Sequence, residues 1–238
     1  HTAEGRTQRP VINYKGLMPE AFYHHDEGVP RDYTGCGNTI SCNHPLVTQT
    51  LLRALEAWVE EYGVDGFKFD AGDTDFYSAS YLAHTHLNPD EHARLFGELG
   101  LAFPLNEYRA AWKLAGRPLA QRLRDKRHHW DDVQKLIPDM IAAGLLGYTF
   151  VCPDMIGGGS FASFLDGAIV DQEMIVRSAQ VHALAPMMQF SVAPWRVLDP
   201  THFAAVKQAV ALRMKFTPHI LELARHSAAT SEPILRPM

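Results

Sequence analysis

The chain has 238 residues, 46% of them hydrophobic, which suffices for one large α/β barrel-type domain or two small ones and excludes a disordered chain. A net charge of −5 and a pI near 6.2 argue against nucleic acid or an anionic membrane as a main partner. No apolar run reaches the length of a membrane span and no signal-peptide pattern opens the chain, which begins at His1, so a cytoplasmic location is favoured.

Residues 1–45 are rich in Gly, Pro, Asn and Asp and hold no helical period, the pattern of a long loop region. "NHPLVTQTLLRALEAWVEEYG" then reads as a helix. Asn43 is placed to cap it, Pro45 suits its first turn and Gly63 stops it. Leu51, Leu52, Leu55, Trp58, Val59 and Tyr62 share one face. "VDGFKFDAGD" follows, a strand over 65–69 that breaks into two carboxylates, Asp70 and Asp73. A helix is expected over 89–100, then strand-like "LNEYRAAW" and the short "LAQRLRD". "WDDVQKLIPDMIAAG" reads as a helix kinked at Pro138, and "LGYTFVCPD" as a strand ending in Asp154. A helix over 171–184, the segment "PMMQFSVAPW" and a helix over 200–215 complete the series. This alternation is the rhythm of a parallel α/β sheet or barrel.

Asp70, Asp125 and Asp154 each fall at the C-terminal end of an expected strand. In a (β/α)8 barrel these ends converge on one face, where the active site lies. One Asp after a strand is more often a cap or a turn residue; three in phase point to chemistry.

From about residue 58 onward the chain resembles glycoside hydrolase family 31, in the branch of the myogenesis-regulating glycosidases and bacterial α-galactosidases. "GFKFDAGD", "RLRDKRHHW", "LIPDMIAAGLLGYTFVCPDMIGG", "MMQFSVAPWR" and "EPILRPM" carry the likeness, in the family's order. The resemblance implies a TIM-barrel fold and hydrolysis of an α-linked terminal sugar with no cofactor and no metal. It implies that Asp70 is the nucleophile and Asp125 the acid/base, with Trp130 five residues on opening the next helix. Asp154 would hold sugar hydroxyls. Asp73, Arg109 and Arg122 would line the pocket, and Trp112 and Trp195 would be its walls. Lys68, on the same side of the strand as Asp70, is expected with Arg122 to keep the nucleophile ionised. Asp131 and Asp132 are candidates for a carboxylate neighbour that keeps the acid protonated, or else simply mark a helix N-terminus. Where many family members carry Arg-x-His, this chain has Gln189-Phe190-Ser191, which favours galactosides over glucosides.

Residues 1–57 resemble glycoside hydrolase family 13 instead, in its isoamylase and glycogen-debranching members, on "HTAEG", "PRDYTGCGNTISCNHP" and the helix running into "VDGF". The chain thus reads as a mosaic, recombined, designed or joined from two sequences. The second likeness implies α-glucan debranching, with His1 touching the sugar and Glu107 as the acid. Lys68 stands where that family has Arg, and "LNEYRAAW" does not fit its pattern. Only barrel strands four to eight are evident. Such an incomplete barrel self-associates, is completed by another chain, or is an inert fragment.

The three cysteines are too few for a framework, although Cys36 and Cys42 share a loop and would pair under oxidising conditions; Cys152 reads as a buried thiol. Thirteen histidines, among them the pairs His24-His25 and His128-His129 and the loop residues His84 and His86, match no zinc spacing and read as solvated or capping. "IGGGS" lacks the lysine of a phosphate loop and reads as a flexible cover over the sugar pocket, and Met187 and Met188 read as core.

Overall fold

The structure is a computed structural model, which describes residues 25–26, 29–30, 32–33, 37–38, 42–70, 72–74, 87–159, 161–165 and 168–237. His1, Cys36, His24, His84, His86 and Ser160 lie outside the described residues. The chain divides into two compact units, one running to Leu114 and one from Ala115 onward.

In the first unit the loop region contains two antiparallel pairs of two-residue strands, β1 (His25–Asp26) with β2 (Val29–Pro30) and β3 (Asp32–Tyr33) with β4 (Gly37–Asn38). Helix α1 (Pro45–Tyr62) is capped by His44, whose Nδ1 accepts from Leu46 N at 3.2 Å, so the cap falls one residue after Asn43. Gly63 ends it in the left-handed conformation (φ 69°), donating to the carbonyls of Trp58 and Val59. The expected apolar face is buried only in part. Leu51, Leu52, Leu55 and Val59 are half-buried, Trp58 and Tyr62 are exposed and pack on each other at 4.9 Å, and the fully enclosed residue of the helix is Val47, outside the expected set.

Strand β5 (Phe67–Phe69), helix α2 (Pro89–Glu98) and strand β6 (Asn106–Tyr108) follow. β5 and β6 are parallel, with Lys68 opposite Glu107 and Phe69 opposite Tyr108. Phe69 stacks on Tyr108 at 4.8 Å and meets Phe96 of α2 edge-on, while Phe67 meets Phe103. This aromatic layer anchors the strand ends from which Asp70 and Arg109 emerge. The Asn106 amide donates to the carbonyls of Gly100 and Phe103 and so fixes the turn into β6.

In the second unit β7 (Ala120–Arg122) pairs in parallel with β8 (Phe150–Cys152). Helix α3 (Trp130–Leu145) joins them, capped by His129 and passing through Pro138. A 3-10 turn (Phe161–Phe164) leads to α4 (Gln172–Leu184), α5 (Pro194–Val197) and α6 (Pro200–Thr230). The last expected strand is reduced to one parallel bridge, Ile156 to Phe190, and part of its segment turns into α5. Helix α6 continues well past residue 215 because it accommodates Pro218, which can give up one backbone donor near a surface where water replaces it. Small residues, Ala179 and Ala183 of α4 and Ala209 of α6, let these helices approach around Ile156, Ile175, Val176 and Val206.

Asp131 and Asp132 occupy the first turn of α3. Asp132 is buried, accepts from Arg127 N at 2.8 Å, and pairs with the Arg127 guanidinium and Lys135. Those donors, Arg127 first, hold its carboxyl well below the usual range. A depressed folded value stabilises the fold above the unfolded-chain value of 3.8 and is lost as the pH falls towards the folded value. Asp132→Asn is therefore expected to cost about 1 kcal/mol near neutrality, with melting curves of parent and variant converging in acid; a difference independent of pH would contradict the pairing.

Candidate active site

Asp70 follows the last residue of β5 and Arg109 the last residue of β6. The parallel register places these ends side by side, with Arg109 N donating to Phe69 O. The Arg109 guanidinium is nearly buried. It donates to Asp73 Oδ2 from Nε at 2.9 Å and Nη2 at 2.5 Å, and its Nη1 lies 3.4 Å from Asp70 Oδ1. Asp73 thus fixes the arginine and the arginine addresses Asp70, whose side chain is 56% exposed. Lys68 extends instead to Glu107 at 3.7 Å. A cation placed against the expected nucleophile is Arg109, whereas the register aligns Lys68 with Glu107 across the two strands. Trp112 is exposed on the loop beyond β6.

The second unit carries the other carboxylates. Arg122, the last residue of β7, is almost fully enclosed, and its Nη1 donates to Asp125 Oδ1 at 2.6 Å and to Asp154 Oδ1 at 3.2 Å. Asp125 is 40% exposed, whereas Asp154 has no exposed surface. Asp154 Oδ2 accepts from Lys126 N at 2.6 Å and Gly159 N at 2.7 Å. Burial pushes the Asp154 carboxyl upward; the amides of Lys126 and Met155 and the charge of Arg122 oppose that, and Asp125 adds to it. Its carboxylate is thus turned inward onto the Asp125 loop, in contrast to the expectation that it reaches for sugar hydroxyls. The carboxylate next to Asp125 is Asp154 through the shared arginine, while Asp132 is committed to Arg127 and Lys135.

Sequence reasoning took the glycine run for a flexible cover and missed Gly159. A Cβ there would stand 2.9 Å from Asp154 Oδ1 and 3.0 Å from the Asp125 carboxyl carbon, so only glycine lets the loop close over both acids. The signal lay in the three consecutive glycines two residues beyond "PDM". Gly159→Ala is expected to lower turnover by about tenfold or more, through displacement of one carboxylate, with melting temperature changed by only a few degrees; unchanged kinetics would show that the two acids have room to spare. His128, expected to be solvated or capping, joins Gly157 O at 3.1 Å to Asp171 N at 2.8 Å. Trp195 is 70% exposed and flanks an open apolar groove of about 640 Å3 between α5 and α6. Cys42 and Cys152 are buried free thiols, and burial raises Cys42 to about 12. Among the described residues no group of three His, Cys, Asp or Glu side chains could hold a metal ion, and no helix is long and apolar enough to cross a membrane.

Parallel strands alternating with helices, with acidic side chains beyond the strands' C-terminal ends in each unit, define a TIM-barrel-type α/β protein. The chain belongs to glycoside hydrolase family 31: the model of that family's TIM-barrel domain matches residues 7–223. The mouse myogenesis-regulating glycosidase is 30% identical over 96% of the chain and 35% of its own length. Isoamylase 1 of Arabidopsis thaliana is 45% identical over a segment comprising 30% of the chain and 9% of its own length, which fits the two-part character of the sequence. Among solved structures, the cycloalternan-degrading enzyme of Trueperella pyogenes superposes with a TM-score of 0.71 at 19% identity, over 92% of this chain and 34% of that one. A family-31 sulfoquinovosidase from E. rectale gives 0.71 at 14% identity, over 99% and 37%. The chain spans about a third of the length of the myogenesis-regulating glycosidase and of these two solved structures.

Proposed function

We propose that the chain carries the catalytic segment of a retaining α-glycosidase that acts on terminal α-galactosides. The observation that carries this reading is a repeated device. Two carboxylates that reach solvent, Asp70 and Asp125, each lie beyond a parallel strand and are each addressed by a nearly buried arginine, Arg109 and Arg122. Buried arginines cannot leave their partners without leaving charge unpaired, so they hold the acids in fixed positions.

In the proposed reaction Asp70 attacks the anomeric carbon while Asp125 gives its proton to the departing glycosidic oxygen, forming a covalent glycosyl–Asp70 ester. Asp125, now ionised, takes a proton from water, whose oxygen displaces Asp70 and releases the sugar with its original anomeric configuration. This chemistry requires the two carboxyls about 5 Å apart across the sugar. Arg109 pairs with Asp70, and Asp73 holds Arg109. Asp154 acts behind the site through Arg122 and the Lys126 amide, and Trp112 and Trp195 offer exposed aromatic faces for a sugar ring. The substrate is the carbohydrate alone, with no cofactor in the scheme.

The galactoside assignment rests on Gln189-Phe190-Ser191, which the bridge from Ile156 ties to the Asp154 loop. The isoamylase-like segment supports a second reading, debranching of α-glucans. Side-by-side assays with an aryl α-galactoside, an aryl α-glucoside and pullulan test both. Preference for the galactoside is expected; preference for the glucoside would overturn the substrate, pullulan cleavage would favour debranching, and inertness towards all three would mark a non-catalytic barrel segment.

A further inference from the structure

His182 lies on α4 among Ile175, Ala179 and Ala183, a position where the helix pattern calls for an apolar side chain, and it has no exposed surface. Its Nδ1 is 2.7 Å from the carbonyl of Ser178, one turn back, and its Nε2 is 2.7 Å from the carbonyl of Asp154. A carbonyl only accepts, so a neutral ring donates to one of the two, and in its Nε2-protonated form that one is Asp154 O. Ser178 Oγ, 3.5 Å from Nδ1, can supply a proton to that nitrogen when the ring is neutral. Burial pushes His182 below its ordinary value, which favours the neutral ring.

The residue it holds is the unusual one. Asp154 has φ of 117°, a region that side chains other than glycine rarely enter and that persists only when the surroundings enforce it. Cys152 Sγ also donates to the same carbonyl, at 3.3 Å. In this conformation the Asp154 carboxylate accepts from Lys126 N, the amide next to Asp125, and shares Arg122 with Asp125.

We infer that His182 is a positioning residue for the acid/base Asp125: by donating to the Asp154 carbonyl it holds residue 154 in its strained backbone state, and the Asp154 carboxylate in turn fixes the Asp125 loop. The inference rests on the assignment of Asp125 in the proposed function, and its test has an arm that does not.

The test compares His182→Gln, which keeps an amide donor at a similar reach, with His182→Met, which has none. Amide exchange in the full chain reads the Lys126 and Gly159 amides, which bond to the Asp154 carboxylate, against Leu123, whose amide bonds to Cys152 O. In His182→Met, protection at Lys126 and Gly159 is expected to fall by about tenfold or more while Leu123 stays within about threefold. In His182→Gln all three stay near the parent. Turnover of an alkyl α-galactoside should fall about tenfold in the Met variant, with dinitrophenyl α-galactoside, which needs little protonation, spared. Should the Met variant not fold, His182→Asn, whose shorter amide falls short of Asp154, replaces it. Parent-like protection at Lys126 and Gly159 in the donor-less variant would overturn the inference. A parent inert towards every glycoside would remove the hydrolase reading, and the exchange arm would still decide whether His182 holds Asp154.

Discussion

Asp70→Gly is expected to reduce turnover of aryl α-galactosides by roughly a millionfold, the scale on which loss of a covalent nucleophile acts. Asp70 emerges at the end of β5, its side chain reaches solvent, and Arg109 Nη1 lies 3.4 Å from its Oδ1. Glycine removes the carboxylate and leaves a hole of its size facing the anomeric carbon. Azide or formate that enters this hole should restore turnover, and the azide product should have the inverted, β configuration, since a single displacement replaces two. Lack of rescue with the fold intact would leave the loss open to a merely structural cause; turnover near the parent's would exclude Asp70 as nucleophile.

Asp125→Ala is expected to act through the leaving group. General acid catalysis contributes about a hundred- to ten-thousandfold, and the variant should lose that much on alkyl α-galactosides, whose departing oxygen requires a proton. Dinitrophenyl α-galactoside departs without one, so formation of the glycosyl ester should survive and its slow hydrolysis should become rate-limiting, seen as a burst of dinitrophenol. Loss of similar size on both substrates would place Asp125 outside proton transfer. Arg122 loses Asp125 as a partner in this variant and keeps Asp154, so the fold should stand.

Much of the fold was legible because its signals are local. Pro45, Gly63 and the alternation of "GFKFD" mark α1 and β5, and the strand-end carboxylates follow from chain order alone. What failed depended on neighbours distant in sequence. Lys68 points as alternation predicts, yet the register with β6 gives it Glu107, and Arg109 is a cation at Asp70. Asp154 ends a strand like Asp70, but its positive φ turns the carboxylate inward, and no sequence rule anticipates that backbone state in an aspartate. His182 looks like any lone histidine on an apolar helix face until the carbonyl it meets is known. The helix expected over 200–215 falls short of α6, which runs through Pro218 to Thr230.

The central claim is that a sugar is transferred to Asp70 before it reaches water. Incubation with a fluorinated α-galactosyl fluoride, which forms the ester quickly and loses it slowly, followed by intact-mass and peptide mapping, tests this directly. One adduct per chain, on Asp70, is the expected result; an adduct on a different carboxylate, or catalytic turnover without any adduct, would contradict it.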